Sequence, residues 1–246
     1  MLLDTKRQDI PNREEVMKFG VFFVILIALG FFTGCTNIVF EDNFGLDTVG
    51  GKPIAPPPGP PVGDDLIMNV GDIGDIEKGI SVINSVLASK AVQIRKSQTA
   101  GTIFECITAG GPYTDGRYRA RYKAYSKSFV PSPGATIESL VTTIVSSSGN
   151  LAFKLSLSDA QYKLASGDDP DETLSVGYAI GSPQIILIDI DMNIKRFWLK
   201  IDGVDVAQKR KFLDPDFDDV HSLRFEYLAR NMTQGYYVVD DIVISH

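Results

Sequence analysis

The chain has 246 residues, 44% hydrophobic and 22% charged, enough apolar material for one or two globular domains with a buried core and not the composition of a disordered chain. Its formal charge of −7 argues against a nucleic-acid binder, because such proteins carry a basic footprint to offset phosphate repulsion. An acidic surface suits a soluble periplasmic or extracellular protein.

The first 16 residues are polar and include four acidic side chains, unlike the short, net-positive start of an export signal. A start at Met17 restores the order of charge, apolar core and cleavage site, so residues 1–16 read as an upstream extension. Phe19 to Phe32 is an apolar run of 14 residues, shorter than the roughly 20 a spanning helix needs and right for a signal-peptide core. Lys18 precedes it, and the small-residue sequence Thr33-Gly34-Cys35 follows, as at a processing site. Phe32-Thr33-Gly34-Cys35 resembles the lipobox of bacterial lipoproteins, with Phe32 where Leu is commonest. The resemblance implies that residues 17–34 are removed and that Cys35 is acylated, becomes the mature N-terminus and holds the protein to a membrane of the cell envelope. Thr36 lacks the acidic side chain associated with inner-membrane retention, which favours the outer membrane in a Gram-negative host. An ordinary signal peptide with an incidental cysteine is the alternative.

Residues 35–246 read as one domain. Ile38 to Asp42 is β-like, and residues 49–65, VGGKPIAPPPGPPVGDD, hold six prolines that cannot serve a central ladder, as in a polyproline-like crossing. Asp75 to Leu87 is the one stretch with a helical reading, against its β-branched content. Cys106, without an intrachain partner if Cys35 carries lipid, lies in the strand-like run Thr102–Thr108 and is expected to be buried and inert. Tyr118–Tyr125, Leu151–Leu157, Ile194–Ile201 and Leu223–Tyr227 alternate apolar and polar side chains as half-buried strands do, while Ile185–Ile190 is apolar on both faces and predicts a covered central strand. Asp115-Gly116, Gly149-Asn150 and Asp202-Gly203 supply turn chemistry. These patterns predict an all-β, antiparallel β-sandwich or jelly roll. Ile38–Phe44 and Tyr236–Ile244 resemble the first and last strands of concanavalin-like and carbohydrate-binding jelly rolls, which implies that the terminal strands lie side by side.

Catalytic constellations are thin. His221 and His246 are the only histidines, no Gly-x-Ser-x-Gly elbow occurs, and the Glu-x-Asp-x-x-Glu run of jelly-roll glucanases is missing. Asp189 and Asp191 share a strand face about 6.6 Å apart by strand rise, and their place beside Met192-Asn193 predicts a solvated strand end. Asp214 to Asp219 begins like a calcium loop, but Asp219 stands where an EF-hand needs Gly and Phe225 where it needs Glu. Glu41 or Asp42 with Asp240 or Asp241 offers oxygens for a structural calcium ion, with solvated edge carboxylates as the alternative. No other cofactor is expected.

A basic and aromatic signal stands out in this acidic chain. Alternation puts Arg119, Arg121, Lys123 and Tyr125 on one face of their strand, and Arg196, Trp198 and Lys200 on one face of theirs, with Lys195, Phe197, Leu199 and Ile201 opposite. An exposed Trp is a platform for a sugar ring, and cations beside it suit acidic glycans. These seven residues form the candidate ligand-binding set. The alternative is cross-strand ion pairing with Trp198 covered by a loop. Three functions follow: a non-catalytic binding module with glycan as ligand, a jelly-roll glycan-active enzyme, or a structural envelope lipoprotein with protein partners.

Overall fold

Period-two alternation builds strands, and the computed structural model contains 15 strands and no helix among the described residues. Those residues are 38–42, 44, 47, 49, 53, 64–68, 80–84, 90–95, 102–131, 140–158, 161–178, 181–227 and 232–246. In chain order the strands are β1 (Ile38–Asp42), β2 (Asp64–Met68), β3 (Ile80–Asn84), β4 (Lys90–Arg95), β5 (Thr102–Ile107), β6 (Arg117–Pro131), β7 (Leu140–Val145) and β8 (Lys154–Ser158). They continue with β9 (Gln161–Ala165), β10 (Glu172–Gly177), β11 (Gln184–Asp191), β12 (Arg196–Ile201), β13 (Val204–Lys211), β14 (Ser222–Tyr227) and β15 (Met232–Ser245).

Two antiparallel sheets form. One runs β13-β12-β11-β6-β15-β4-β3, with β1 also paired to β15, and the other runs β10-β9-β8-β7-β14-β5-β2. Their facing sides share one core. From the first sheet come Tyr118, Ala120 and Tyr122 of β6, Ile186, Ile188 and Ile190 of β11, and Phe197, Leu199 and Ile201 of β12, each at most 1% exposed. From the second come Phe104, Phe225, Leu155 and Leu164. Rings meet across the sandwich, Tyr122 edge-on to Phe225 at 5.0 Å and Phe153 tilted against Phe197 at 5.1 Å. Each such side chain contributes about 1.5–3 kcal/mol by leaving water.

Phenol groups are buried in the same core with polar partners. Tyr122 donates to Thr142 Oγ1 at 3.2 Å, and Tyr162 to Gln184 Oε1 at 3.0 Å. Burial, above all, pushes the pKa values of Tyr122, Tyr162 and Tyr237 upward.

The terminal strands do lie side by side: β1 pairs antiparallel with β15, Phe40 opposite Ile244 and Asp42 opposite Ile242. His246 then stacks on Tyr118 with ring centroids 4.6 Å apart. It packs over Gly116, whose φ of +85° favours glycine there. The Asp202-Gly203 turn has φ of +50° and +79°, the left-handed pair of a type I′ hairpin.

Three expectations change. Within Asp75–Leu87 the described part, Ile80–Asn84, is a strand paired with β4, so β-branched residues there follow their strand preference. Strand β11 is central, between β6 and β12, but covered on one face only: Ile185 is 40% exposed while Ile186, Ile188 and Ile190 are buried. The run from Leu151 becomes a strand only at Lys154, because Leu151 makes an isolated bridge to Val145 and its N–H is held by Asp214 at 2.6 Å. Cys106 is fully buried, as expected. Asn37–His246 forms one compact unit. The expected signal segment and Cys35 lie outside the described residues, as does most of the proline-rich stretch. No helix of the described residues is long and apolar enough to cross a membrane.

Candidate functional site

Three neighbouring strands, β6, β11 and β12, bring the candidate side chains together on the outer face of the eight-stranded sheet. Register places them in rows. Arg117, Asp191 and Arg196 are opposite one another in one row, followed by Arg119, Asp189 and Trp198, then Arg121, Leu187 and Lys200. Inward residues alternate with these at every step, which is why Phe197 is fully buried while Trp198 is half-buried.

Ion pairing has claimed much of the cationic stripe. Arg119 grips Asp189 with two bonds, Nε to Oδ1 at 2.6 Å and Nη2 to Oδ2 at 3.1 Å. Arg117 Nε bonds Asp191 Oδ2 at 2.9 Å. Lys123 pairs with Asp241, and Lys200 with Asp205 at 3.1 Å. Two members make no direct ion pair among the described residues. Arg121 lies between Leu187 of β11 and Val243 of β15, and Arg196 donates from Nη1 to the Lys195 carbonyl at 2.9 Å. Tyr125 is corrected: its strand face is the expected one, but it is 8% exposed and packed with Ala91, Val238 and Ile83, so its ring is not offered to a ligand.

The acidic pair is corrected too. Asp191 is 3% exposed rather than solvated, and its Oδ1 accepts the N–H groups of Asn193 at 3.1 Å and Ile194 at 3.3 Å, closing the β11–β12 turn. With Arg117 on Oδ2 and Arg119 on both oxygens of Asp189, every carboxyl oxygen of the pair is engaged. That arrangement positions the arginines and orders the turn.

Of the four acids offered for calcium, three have an oxygen engaged within the chain. Asp42 Oδ1 accepts the Phe44 N–H at 2.6 Å, Asp240 Oδ1 accepts that of Asp241 at 2.7 Å, and Asp241 is bound to Lys123. Asp219 holds the backbone N–H of Ser147 at 2.8 Å and also its hydroxyl at 2.6 Å, so the Asp214–Asp219 segment fastens loops. No group of three or more potential metal ligands forms among the described residues.

Sequence patterning missed Lys195. Extrapolated strand alternation put it inward with Phe197, but it sits in the turn before β12 at φ +51° and is exposed. Together with Arg196 and Lys211 it lines a cavity of about 380 Å³ where β12 and β13 meet the turn after β9. The turn chemistry of Met192-Asn193 was the available signal that the strand starts later.

By sequence the chain matches no protein-family model and no curated protein. By structure it resembles the catalytic domain of a glycoside hydrolase family 131 protein from Coprinopsis cinerea, with a TM-score of 0.55 and 14% identity over 86% of this chain and 95% of that one. It also resembles the binding domain of Paraclostridial Mosquitocidal Protein 1, with a TM-score of 0.55 and 12% identity over 85% of this chain and 48% of that one. A sialidase matches at a TM-score of 0.53 and 11% identity over 86% of this chain, which spans only 19% of the sialidase. The molecule is therefore a jelly-roll β-sandwich, a fold it shares with a glycoside hydrolase catalytic domain.

Proposed function

We infer that the protein is an exported, lipid-anchored glycan-binding module, in which the β6–β11–β12 face takes sugar and no bond is broken. One observation carries this reading. The single Trp of the chain stands half-buried on that face, with part of its surface open, beside Arg196 and diagonal to Arg121, two guanidinium groups that make no direct ion pair among the described residues. An aromatic plane flanked by unspent planar donors is a sugar platform. Catalysis is the second reading, favoured by the fold shared with a glycoside hydrolase domain and by Asp189 and Asp191 next to Trp198. Against it, glycoside hydrolysis needs one carboxyl group free to give a proton and another free to attack or activate water, and all four oxygens of this pair are engaged.

Trp198→Ala is expected to weaken retention in affinity electrophoresis through gels containing laminarin or alginate by tenfold or more, since stacked aromatics dominate such contacts. Unchanged retention of the folded variant would remove Trp198 from the site. Hydrolysis or eliminative cleavage of either glycan by the wild type, abolished in Asp189→Asn, would instead establish the second reading.

The anchor rests on Phe32-Thr33-Gly34-Cys35. Cys35→Ser is expected to shift the protein from the membrane fraction to the soluble fraction or to leave it unprocessed. One acyl chain holds marginally, at about 0.8 kcal/mol per buried CH₂, so durable retention needs the several chains of a mature lipoprotein. An intact mass showing unmodified Cys35 in the mature wild type would refute the anchor.

A further inference from the structure

The cavity where β12 and β13 meet the β9–β10 turn has two chemically different walls. One is cationic, made by Lys195, Arg196 and Lys211, and the other apolar, made by Phe212, Leu213 and Pro215. Its volume of about 380 Å³ lies at the lower end of the range for small-ligand pockets, roughly 300–1,000 Å³.

The cations are not balanced. The carboxylate beside them is Asp168, which lies 3.4 Å from the Lys211 ammonium, accepts the Lys211 N–H at 2.8 Å and also interacts electrostatically with Arg196. Lys195 and Arg196 make no direct ion pair among the described residues, and the one hydrogen bond of the Arg196 guanidinium, to the Lys195 carbonyl, leaves most of its donors unspent. A net positive cleft in a chain of charge −7 concentrates anions locally against the overall field. Close approach of the two turns is what shapes it. Gly167 donates to the Lys211 carbonyl at 3.1 Å, and a Cβ there would lie 2.3 Å from the Phe212 carbonyl oxygen.

We propose that this cavity is a subsite for the carboxylate-bearing unit of an acidic glycan, a uronic acid residue. Arg196 takes the carboxylate in a bidentate fork, Lys195 and Lys211 add charge, and Leu213 with Pro215 covers the C–H face of the ring. Arg196 lies two residues from Trp198 on the same strand face, about 6.6 Å along β12, so a chain of sugars crosses from the tryptophan platform into the cavity. The proposal rests on the glycan-binding reading and adds to it the class of sugar.

The test is titration calorimetry of the detergent-solubilised, full-length mature protein with a short oligogalacturonate and with a neutral laminarin oligosaccharide. Arg196→Ala is expected to lower oligogalacturonate affinity about tenfold or more, as loss of a charge-assisted fork does, and laminarin affinity by a clearly smaller factor, because a neutral sugar offers the fork no carboxylate. Arg196→Lys recovers only part of the loss, because a lysine is a point charge. Lys209→Ala, an equal charge change at an exposed β13 position outside the cavity, is expected to have no effect. Equal loss in Lys209→Ala and Arg196→Ala would overturn the subsite in favour of diffuse electrostatics. Laminarin binding that depends on Trp198, with oligogalacturonate binding indifferent to Arg196, would overturn the subsite and leave the platform standing. No heat with either sugar would overturn both.

Discussion

Phe197→Ala is expected to lower the unfolding free energy by about 3–5 kcal/mol, whereas Trp198→Ala, one residue further along β12, costs about 1 kcal/mol or less. Phe197 is fully buried and packs on Phe153 with centroids 5.1 Å apart, so its removal opens a cavity between the two sheets. Trp198 points the other way, across from Asp189 on the outer face, and keeps part of its surface in water. Urea denaturation of both variants measures the difference as a shift in midpoint at constant slope. Equal destabilisation would mean that the outer face is covered and that Trp198 is structural.

A steep alkaline transition is the second large effect. Tyr122, Tyr162 and Tyr237 have folded pKa values raised above 10.0, with desolvation the leading cause in each. In the unfolded chain they ionise near pH 10. Above that pH the unfolded state has lost protons that the folded state still holds, so stability falls as pH rises, and below it these groups leave stability unchanged. Each contributes a slope of about 1.4 kcal/mol per pH unit, roughly 4 kcal/mol per unit for the three together. Tyr162→Phe is expected to cost about 1 kcal/mol at pH 8, where its bond to Gln184 is lost, and to flatten the slope above pH 10 by about 1.4 kcal/mol per unit. Urea melts between pH 8 and 11.5 give both numbers. An unchanged slope would show that the Tyr162 phenol reaches solvent.

Both expectations depend on side-chain direction, and local pattern conveyed that only in part. Strand identity and facing at β6, β12 and β14 followed from period-two alternation, because adjacent side chains on an extended chain must point oppositely. Alternation predicts nothing about what lies over a face. Tyr125 obeys its period and is nonetheless covered by Ala91, Val238 and Ile83, which arrive from β4, β15 and β3. Ile185–Ile190 looked covered on both faces because Ile185 and Leu187 are apolar, yet on the outer face they lie among Lys123, Arg121 and Lys200. Where a turn interrupts the strand, as at Lys195, extrapolating the period gave the wrong face.

Composition, the lipobox-like run around Cys35, the strands, the Asp202-Gly203 turn and the adjacency of the terminal strands were legible in the sequence by itself, because each depends on neighbouring residues or on a recurrent short pattern. Pairing was decided only by the tertiary structure. Arg119 and Asp189 are 70 residues apart in sequence, and nothing local says that β6 will lie beside β11, so which cations are neutralised and which stay available could not be read in advance. The same holds for the cavity. It exists because the Gly167 turn, from one sheet, closes on the end of β13 in the other. Contacts between segments distant in sequence are selected by the collective burial of two sheet faces, a property of the whole packed core and of no single stretch of chain.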